Sequence, residues 1–100
     1  MKKYQVHLTQ LAKEDLDIAK DFYAKQDISL GEYFIDSLIV DLESLQFYSG
    51  IHQKIFGYYK MLAKHFPFTI YYDIENTTTI VHAILDTRQN PKNIKDRLIS

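Results

Sequence analysis

The sequence predicts a two-layer α+β domain, in which an antiparallel β-meander packs on an N-terminal helical hairpin. The hydrophobic pattern changes from helical spacing in the first half of the chain to strand-like runs in the second half. The 100 residues correspond to a single domain, residues 1–100. Hydrophobic residues make up 46% of the chain, which is enough for one compact core and excludes general disorder.

A short strand and two helices form the predicted first half. The residues before Thr9 alternate between apolar and polar side chains, which is typical of a strand. Thr9 then caps a helix whose apolar residues follow helical spacing as far as Gln26. Ser29 and Glu32 form a capping box that starts the second helix, and Gly50 ends it. Because the break between the helices is short, we expect them to run antiparallel.

Three strands and a short helix form the predicted second half. The strand-like runs are residues 55–62, 66–74 and 78–85, and the last two flank the turn residues 75–77. The short basic helix starts at Asn90-Pro91, where Asn caps it and Pro occupies its first position, and it runs to about residue 99. The predicted element order is therefore β-α-α-β-β-β-α.

A two-residue turn at Asn76-Thr77 predicts the register of the last two strands. The predicted pairs have nearly apolar side chains facing the hairpin: Ile74 with Thr79, Tyr72 with Val81, Ile70 with Ala83, and Phe68 with Leu85. The opposite face is mixed, and we expect it to be partly wet. On that face the register places Tyr71 opposite His82.

Charge and residue usage narrow the functional classes. Residues 13–46 contain nine acidic residues and three lysines, whereas the rest of the chain contains nine basic and four acidic residues. This polarity indicates either a face that meets a polyanion or two differently solvated faces. The absence of Cys excludes disulfides, thiolate metal sites and a cysteine nucleophile. The four His residues lack metal-ligand spacing, so we expect neither a metal nor another cofactor.

The chain shows no sign of membrane association. No apolar stretch approaches the roughly 18 residues that a spanning helix needs. The N-terminus starts with Met1-Lys2-Lys3, as a signal peptide can, but no apolar region follows it. We therefore expect a cytoplasmic protein.

Three runs of residues carry a family resemblance. They are residues 8–16 (LTQLAKEDL), 59–72 (YKMLAKHFPFTIYY) and 81–91 (VHAILDTRQNP). In this order they resemble the RelE/ParE family of bacterial type II toxin–antitoxin toxins, which includes plasmid stabilisation proteins. The resemblance covers nearly all of the chain. It implies a toxin that inhibits growth and a cognate antitoxin that wraps and blocks it.

The resemblance leaves two kinds of target open. RelE-like members cleave mRNA at the ribosome, and ParE-like members inhibit DNA gyrase without known hydrolytic chemistry. The RelE-like branch uses Lys and Arg from the middle strands and a C-terminal Tyr, but no Tyr follows Arg88 here. Asp86 and Tyr59 also stand where many relatives carry His and Arg. This incomplete set favours a non-hydrolytic ParE-like inhibitor, and the alternatives are an mRNA endonuclease or an inactive relative.

Four residues are candidates for catalysis if the protein is a nuclease. Attack by a 2′-hydroxyl needs a base, an acid and a cation that stabilises the phosphorane. Lys60, Lys64 and Arg88 stand at positions comparable with the basic residues of the family. His82 is the candidate general acid or base, and Arg88 precedes a helix N-terminus that attracts anions.

Each of these candidates also has a purely structural interpretation. Lys60 and Lys64 suit solvated strand positions that discourage edge pairing. His82 and Tyr71 suit a simple cross-strand pair. Arg88 suits an ion pair with a neighbouring carboxylate, either Asp86 or Asp96.

Aromatic residues are the candidate contacts for a protein partner. Phe22, Tyr23 and Tyr33 on the hairpin exceed what a small two-layer core requires. Tyr71, on the outer sheet face, could stack on a base or a partner side chain. An antitoxin segment that folds on binding would cover such apolar surface.

Overall fold

The computed structural model describes residues 3–99 and confirms the α+β class. The elements in chain order are β1 (Gln5–Leu8), α1 (Gln10–Gln26), α2 (Ile28–Tyr48), β2 (Lys54–Ile55), β3 (Tyr58–Leu62), β4 (Phe68–Glu75), β5 (Thr78–Asp86) and α3 (Pro91–Ile99). The hairpin of α1 and α2 packs on one face of the sheet, and α3 packs on the other, which we call the outer face.

The helical hairpin forms as predicted, but its second cap differs. The Thr9 hydroxyl accepts the N–H of Ala12 at 3.1 Å, which confirms the first cap. The cap of α2 is Asp27 rather than Ser29, because the Asp27 carboxylate accepts the Ser29 N–H at 2.9 Å. The N–H of Asp27 still donates to the carbonyl of Tyr23 in α1. One residue therefore closes the first helix and opens the second, so the predicted capping box at Ser29 is wrong.

The two helices approach closely at Gly31. A Cβ placed on Gly31 would lie 2.8 Å from the Cβ of Ala24 in α1, closer than two side-chain carbons can pack. Gly31 is therefore the residue that permits this helix contact. Gly50 has φ +94°, a left-handed value that favours glycine, and it follows the end of α2 as predicted.

The sheet order is β1-β5-β4-β3-β2. Strands β2 to β5 form the predicted antiparallel meander, and β1 adds a parallel strand beside β5. The predicted single strand over residues 55–62 is wrong, since the chain reverses within it to form the β2–β3 hairpin. Phe56 and Gly57 form the two-residue turn with φ values of +53° and +85°.

The register of β4 and β5 agrees with the prediction near the turn. Asn76 has φ +58°, the left-handed value that a two-residue hairpin turn requires, and Glu75 pairs with Thr78. The predicted pairs of Ile74 with Thr79 and of Tyr72 with Val81 are present. The turn chemistry therefore determines the first half of this register correctly.

A β-bulge at His82 changes the register beyond those pairs. Tyr72 pairs with Val81 and Tyr71 with Ala83, so His82 is an extra residue in β5. The predicted pairing of Tyr71 with His82 is therefore wrong. The two predicted pairs further along are also wrong: Ile70 pairs with Ile84 instead of Ala83, and Phe68 pairs with Asp86 instead of Leu85.

The bulge divides the apolar residues of β5 between two cores. Ile84 packs into the main core beneath the hairpin, whereas Ala83 and Leu85 turn to the outer face. There they pack with Tyr71 and with Leu98 of α3. The extra residue reverses the inward and outward alternation, because successive strand side chains point to opposite faces.

Candidate functional site

Two charged side chains, one from α1 and one from α3, hold the bulge. Arg97 donates from both terminal nitrogens to the two carboxylate oxygens of Asp15, each at 2.8 Å. Asp15 also accepts the N–H of Ile84 at 3.0 Å, and Arg97 donates to the carbonyl of His82 at 3.2 Å. These bonds satisfy backbone groups that a bulge leaves outside the strand ladder. They also tie both helices to β5.

An open apolar groove lies beside this ion pair, between α1 and the segment that joins β5 to α3. We call it the α1 groove; its volume is about 380 Å³. Its apolar lining residues are Ile18, Ala19, Phe22, Phe68, Ile84 and Leu85. Ile18 and Phe22 are exposed, and Leu11 extends their stripe along α1 at helical spacing. The groove therefore offers apolar surface to a protein segment.

Arg88 is bound to Asp86, one of the two carboxylates considered for it. The Arg88 side chain donates to the Asp86 carboxylate from Nε at 2.9 Å and from Nη2 at 2.7 Å. These bonds hold the pKa of Asp86 below its ordinary value and raise the pKa of Arg88. Asn90 caps α3 as predicted, since its side chain accepts the Lys92 N–H at 2.9 Å. Arg88 is exposed, but its guanidinium already faces an anion.

His82 also lies beside a carboxylate. Its Nε2 lies 3.0 Å from Oδ1 of Asp73, without the alignment of a hydrogen bond. Its ring centroid is 5.1 Å from that of Tyr58 in β3. Tyr71 lies on the same face but is buried beneath α3, and this burial raises the pKa of its hydroxyl. A partner therefore cannot reach Tyr71 while α3 keeps this position.

The two candidate lysines lie at the far edge of the sheet. Lys60 is half-buried in β3, and its N–H donates to the carbonyl of Gln53 at 2.9 Å. Lys64 follows the strand, and its N–H donates to the Asp41 carboxylate at 3.2 Å. Both lysines line a second groove, between α2 and β3, with His52. The four candidate catalytic residues therefore occupy three different environments.

The candidate partner residues of the hairpin differ in exposure. Phe22 is exposed at the α1 groove, and Tyr33 is exposed with its ring 5.4 Å from that of Phe66. Tyr23 is buried, and its ring stacks on that of Phe34 at 5.2 Å. Tyr23 is thus a core residue rather than surplus apolar surface. Binding roles for Phe22 and Tyr33 stay predictions.

Sequence reasoning missed the pair of Asp15 and Arg97. Asp15 interrupts the exposed apolar stripe of α1, and this interruption was the only local signal for the pair.

Within residues 3–99, no group of three or more His, Asp or Glu side chains could hold a metal ion. None of the helices described in that range is long and apolar enough to cross a membrane.

This arrangement of hairpin, five-stranded sheet and C-terminal helix also occurs in a solved toxin–antitoxin structure. A solved structure of the chromosomal ParDE TA system from P. aeruginosa has the same fold, with a TM-score of 0.74 at 16% sequence identity. The match covers 82% of this chain and 94% of that chain. Among curated proteins, none matches the sequence.

A sequence match over nearly the whole chain shows the family. Residues 6–91 match the family model for the ParE toxin of the type II toxin–antitoxin system, parDE. The chain therefore belongs to the ParE toxin family. The predicted superfamily and the predicted toxin component of a type II module are both confirmed.

Proposed function

We propose that this protein is a cytoplasmic, non-hydrolytic toxin that inhibits DNA gyrase by binding to it. One observation carries the proposal: the candidate catalytic residues lie in three different environments, and two of them already face carboxylates. Arg88 faces Asp86, and His82 faces Asp73. Cleavage through a 2′-hydroxyl needs an acid, a base and a cation at one phosphate. The arrangement in residues 3–99 favours binding over cleavage.

An antitoxin is the second part of this proposal. The relative from P. aeruginosa is described as a ParDE TA system, in which a toxin is paired with an antitoxin. The α1 groove supplies the apolar surface that such a partner needs, with Phe22 at its rim. An antitoxin segment that folds in this groove would bury Ile18 and Phe22 together. We therefore propose that the cognate antitoxin docks along α1.

The first experiment separates inhibition from RNA cleavage. The chain is induced in a bacterial host, with and without the protein encoded beside it, and transcripts are mapped by primer extension. We expect slowed growth, intact transcripts and an induced DNA-damage response, all relieved by the partner. Arg88→Ala serves as the test variant, because loss of one cation from a phosphorane costs about 10²–10³ in rate.

Two results would contradict this proposal. New 5′ ends in phase with codons that disappear in Arg88→Ala would show an mRNA endonuclease. Unchanged growth at a high level of folded protein would show an inactive relative. In either case the family assignment stands, because it depends on the sequence match and not on the activity.

The second experiment tests the antitoxin groove. Phe22→Asp places a charge at the rim of the groove, and we expect it to abolish co-purification with the antitoxin. Ile28→Asp is the matched control, since Ile28 is also apolar and exposed but lies at the tip of the hairpin. Equal co-purification of both variants would place the antitoxin on another surface.

A further inference from the structure

The groove between α2 and β3 is separate from the α1 groove and has a volume of about 680 Å³. We call it the α2–β3 groove. Three of its lining residues are large, apolar and exposed: Tyr48, Ile51 and Leu62, at 55%, 72% and 65%. Apolar side chains that stay exposed together around a concave surface mark an interaction site. The groove therefore offers a second surface to a binding partner.

The charged side chains of this groove are mainly basic. Lys60 is half-buried and Lys64 is exposed, and neither forms a salt bridge within residues 3–99. The acid among the lining residues, Asp41, is only 4% exposed, and its carboxylate accepts the Lys64 N–H at 3.2 Å. The two ammonium groups are therefore available to anions of a partner.

His52 adds a hydrogen-bond donor to the same lining. The Tyr72 hydroxyl accepts the Gly50 N–H at 3.0 Å, and it lies 2.5 Å from Nδ1 of His52. Because the hydroxyl oxygen already accepts one N–H, we assign its proton to the bond with Nδ1. The neutral imidazole then carries its own proton on Nε2. His52 thus donates to an acceptor even when it is uncharged.

The edge of β3 beside the groove is open. β2 pairs with Tyr58 and Tyr59, and the Lys60 N–H donates to the carbonyl of Gln53 at 2.9 Å. Leu62 lies two residues further along β3, so its N–H and C=O face the same side as those of Lys60. No strand within residues 3–99 pairs with Leu62 on that side. An extended segment can add to such an edge through main-chain hydrogen bonds.

We propose that the α2–β3 groove binds an extended acidic segment of a partner protein. The segment pairs with β3 at Leu62, and its carboxylates lie against Lys60 and Lys64. Its apolar side chains cover Tyr48 and Ile51. A nucleic acid also supplies anions, but it lacks the main-chain N–H and C=O groups that match an open strand edge. This inference depends on the groove alone and holds whether or not the protein inhibits gyrase.

NMR titration of the ¹⁵N-labelled chain with a short blocked peptide of alternating Glu and Val tests the proposal. We expect the N–H signals of Leu62 and Lys64 to shift. The double variant of Lys60→Glu and Lys64→Glu should bind the peptide at least about tenfold more weakly. The double variant of Lys13→Glu and Lys20→Glu is the matched control, since it changes the net charge equally at exposed positions of α1. Equal weakening in both double variants overturns the proposal, as does the absence of these shifts at about 2 mM peptide.

Two further measurements test the mode of binding and the class of partner. Saturating peptide should slow hydrogen exchange at the Leu62 N–H about tenfold or more, because pairing removes this group from water. Unchanged exchange with the peptide bound would overturn the pairing with β3. The same peptide with every Glu replaced by Lys should not bind, and oligothymidylate should bind about tenfold more weakly than the acidic peptide. Tighter binding of oligothymidylate would show a nucleic-acid site and overturn the proposal.

Discussion

Removal of the Asp15 carboxylate should destabilise the protein, because this group joins α1 to α3 and to β5. Asp15→Ala leaves Arg97 without its bidentate partner and leaves the Ile84 N–H without its acceptor. The side chains of Asp15 and Arg97 are only 11% and 26% exposed, so water replaces these bonds poorly. This pair bonds the backbone at the bulge and adds to the packing of α3 on β5.

The size of the destabilisation follows from two losses: the acceptor of the Ile84 N–H and the ion-pair partner of Arg97. A buried N–H without an acceptor costs about 1–3 kcal/mol. A charge left alone in the interior costs about 3–5 kcal/mol, and this figure is reduced here because Arg97 keeps some contact with water. We expect a total loss of about 3 kcal/mol in the free energy of unfolding, or a fall in Tm of roughly 12–24 °C. Asp15→Asn retains an oxygen that can accept the Ile84 N–H and should lose about half as much.

Urea unfolding of the purified chain, monitored by circular dichroism, measures the effect. Asp17→Ala is the control, because Asp17 lies on the same helix but is exposed and forms no salt bridge among the described residues. The reasoning is refuted if Asp15→Ala and Asp17→Ala unfold within about 0.5 kcal/mol of each other. A double-mutant cycle with Arg97→Met should show a coupling of about 1–3 kcal/mol, because the double variant leaves no charge unpaired.

Two further predictions concern packing and pH. Gly31→Ala should reduce the free energy of unfolding by about 1–3 kcal/mol, because the added Cβ would meet Ala24. Ala24→Gly in the same chain should recover part of this loss, and thermal unfolding of both variants measures it. Burial lowers the pKa of His52 below 6.5, and its Nδ1 lies 2.5 Å from the Tyr72 hydroxyl. The unfolded chain therefore binds a proton at His52 more tightly than the folded chain does. The contribution of His52 to stability is fully present above pH 6.5 and falls as the pH drops through and below that value. His52→Gln should flatten this slope in urea titrations between about pH 5 and 8, and a slope that the variant leaves unchanged would contradict this reasoning.

Local features of the sequence determined most of the elements and the family, although they missed the β2–β3 turn and the cap of α2. Thr9 and Asn90-Pro91 start helices where their cap chemistry predicted, and Asn76-Thr77 forms the predicted turn. Each of these signals acts between residues fewer than five positions apart. The three motif runs identified the superfamily because they occur in order along nearly the whole chain. The chemistry of the candidate site did not follow in the same way.

The tertiary structure alone decided the site, because its contacts join residues far apart in the chain. Asp15 and Arg97 are 82 positions apart, and no periodicity or motif relates them. That pair bonds the backbone on both sides of the bulge at His82, and with the bulge in place Tyr71 faces Ala83. Hydrophobic alternation cannot reveal one extra residue in a strand whose neighbours on both faces are apolar. Such a register is decided by the side chains that satisfy the unpaired backbone groups, and only the folded chain brings these side chains together.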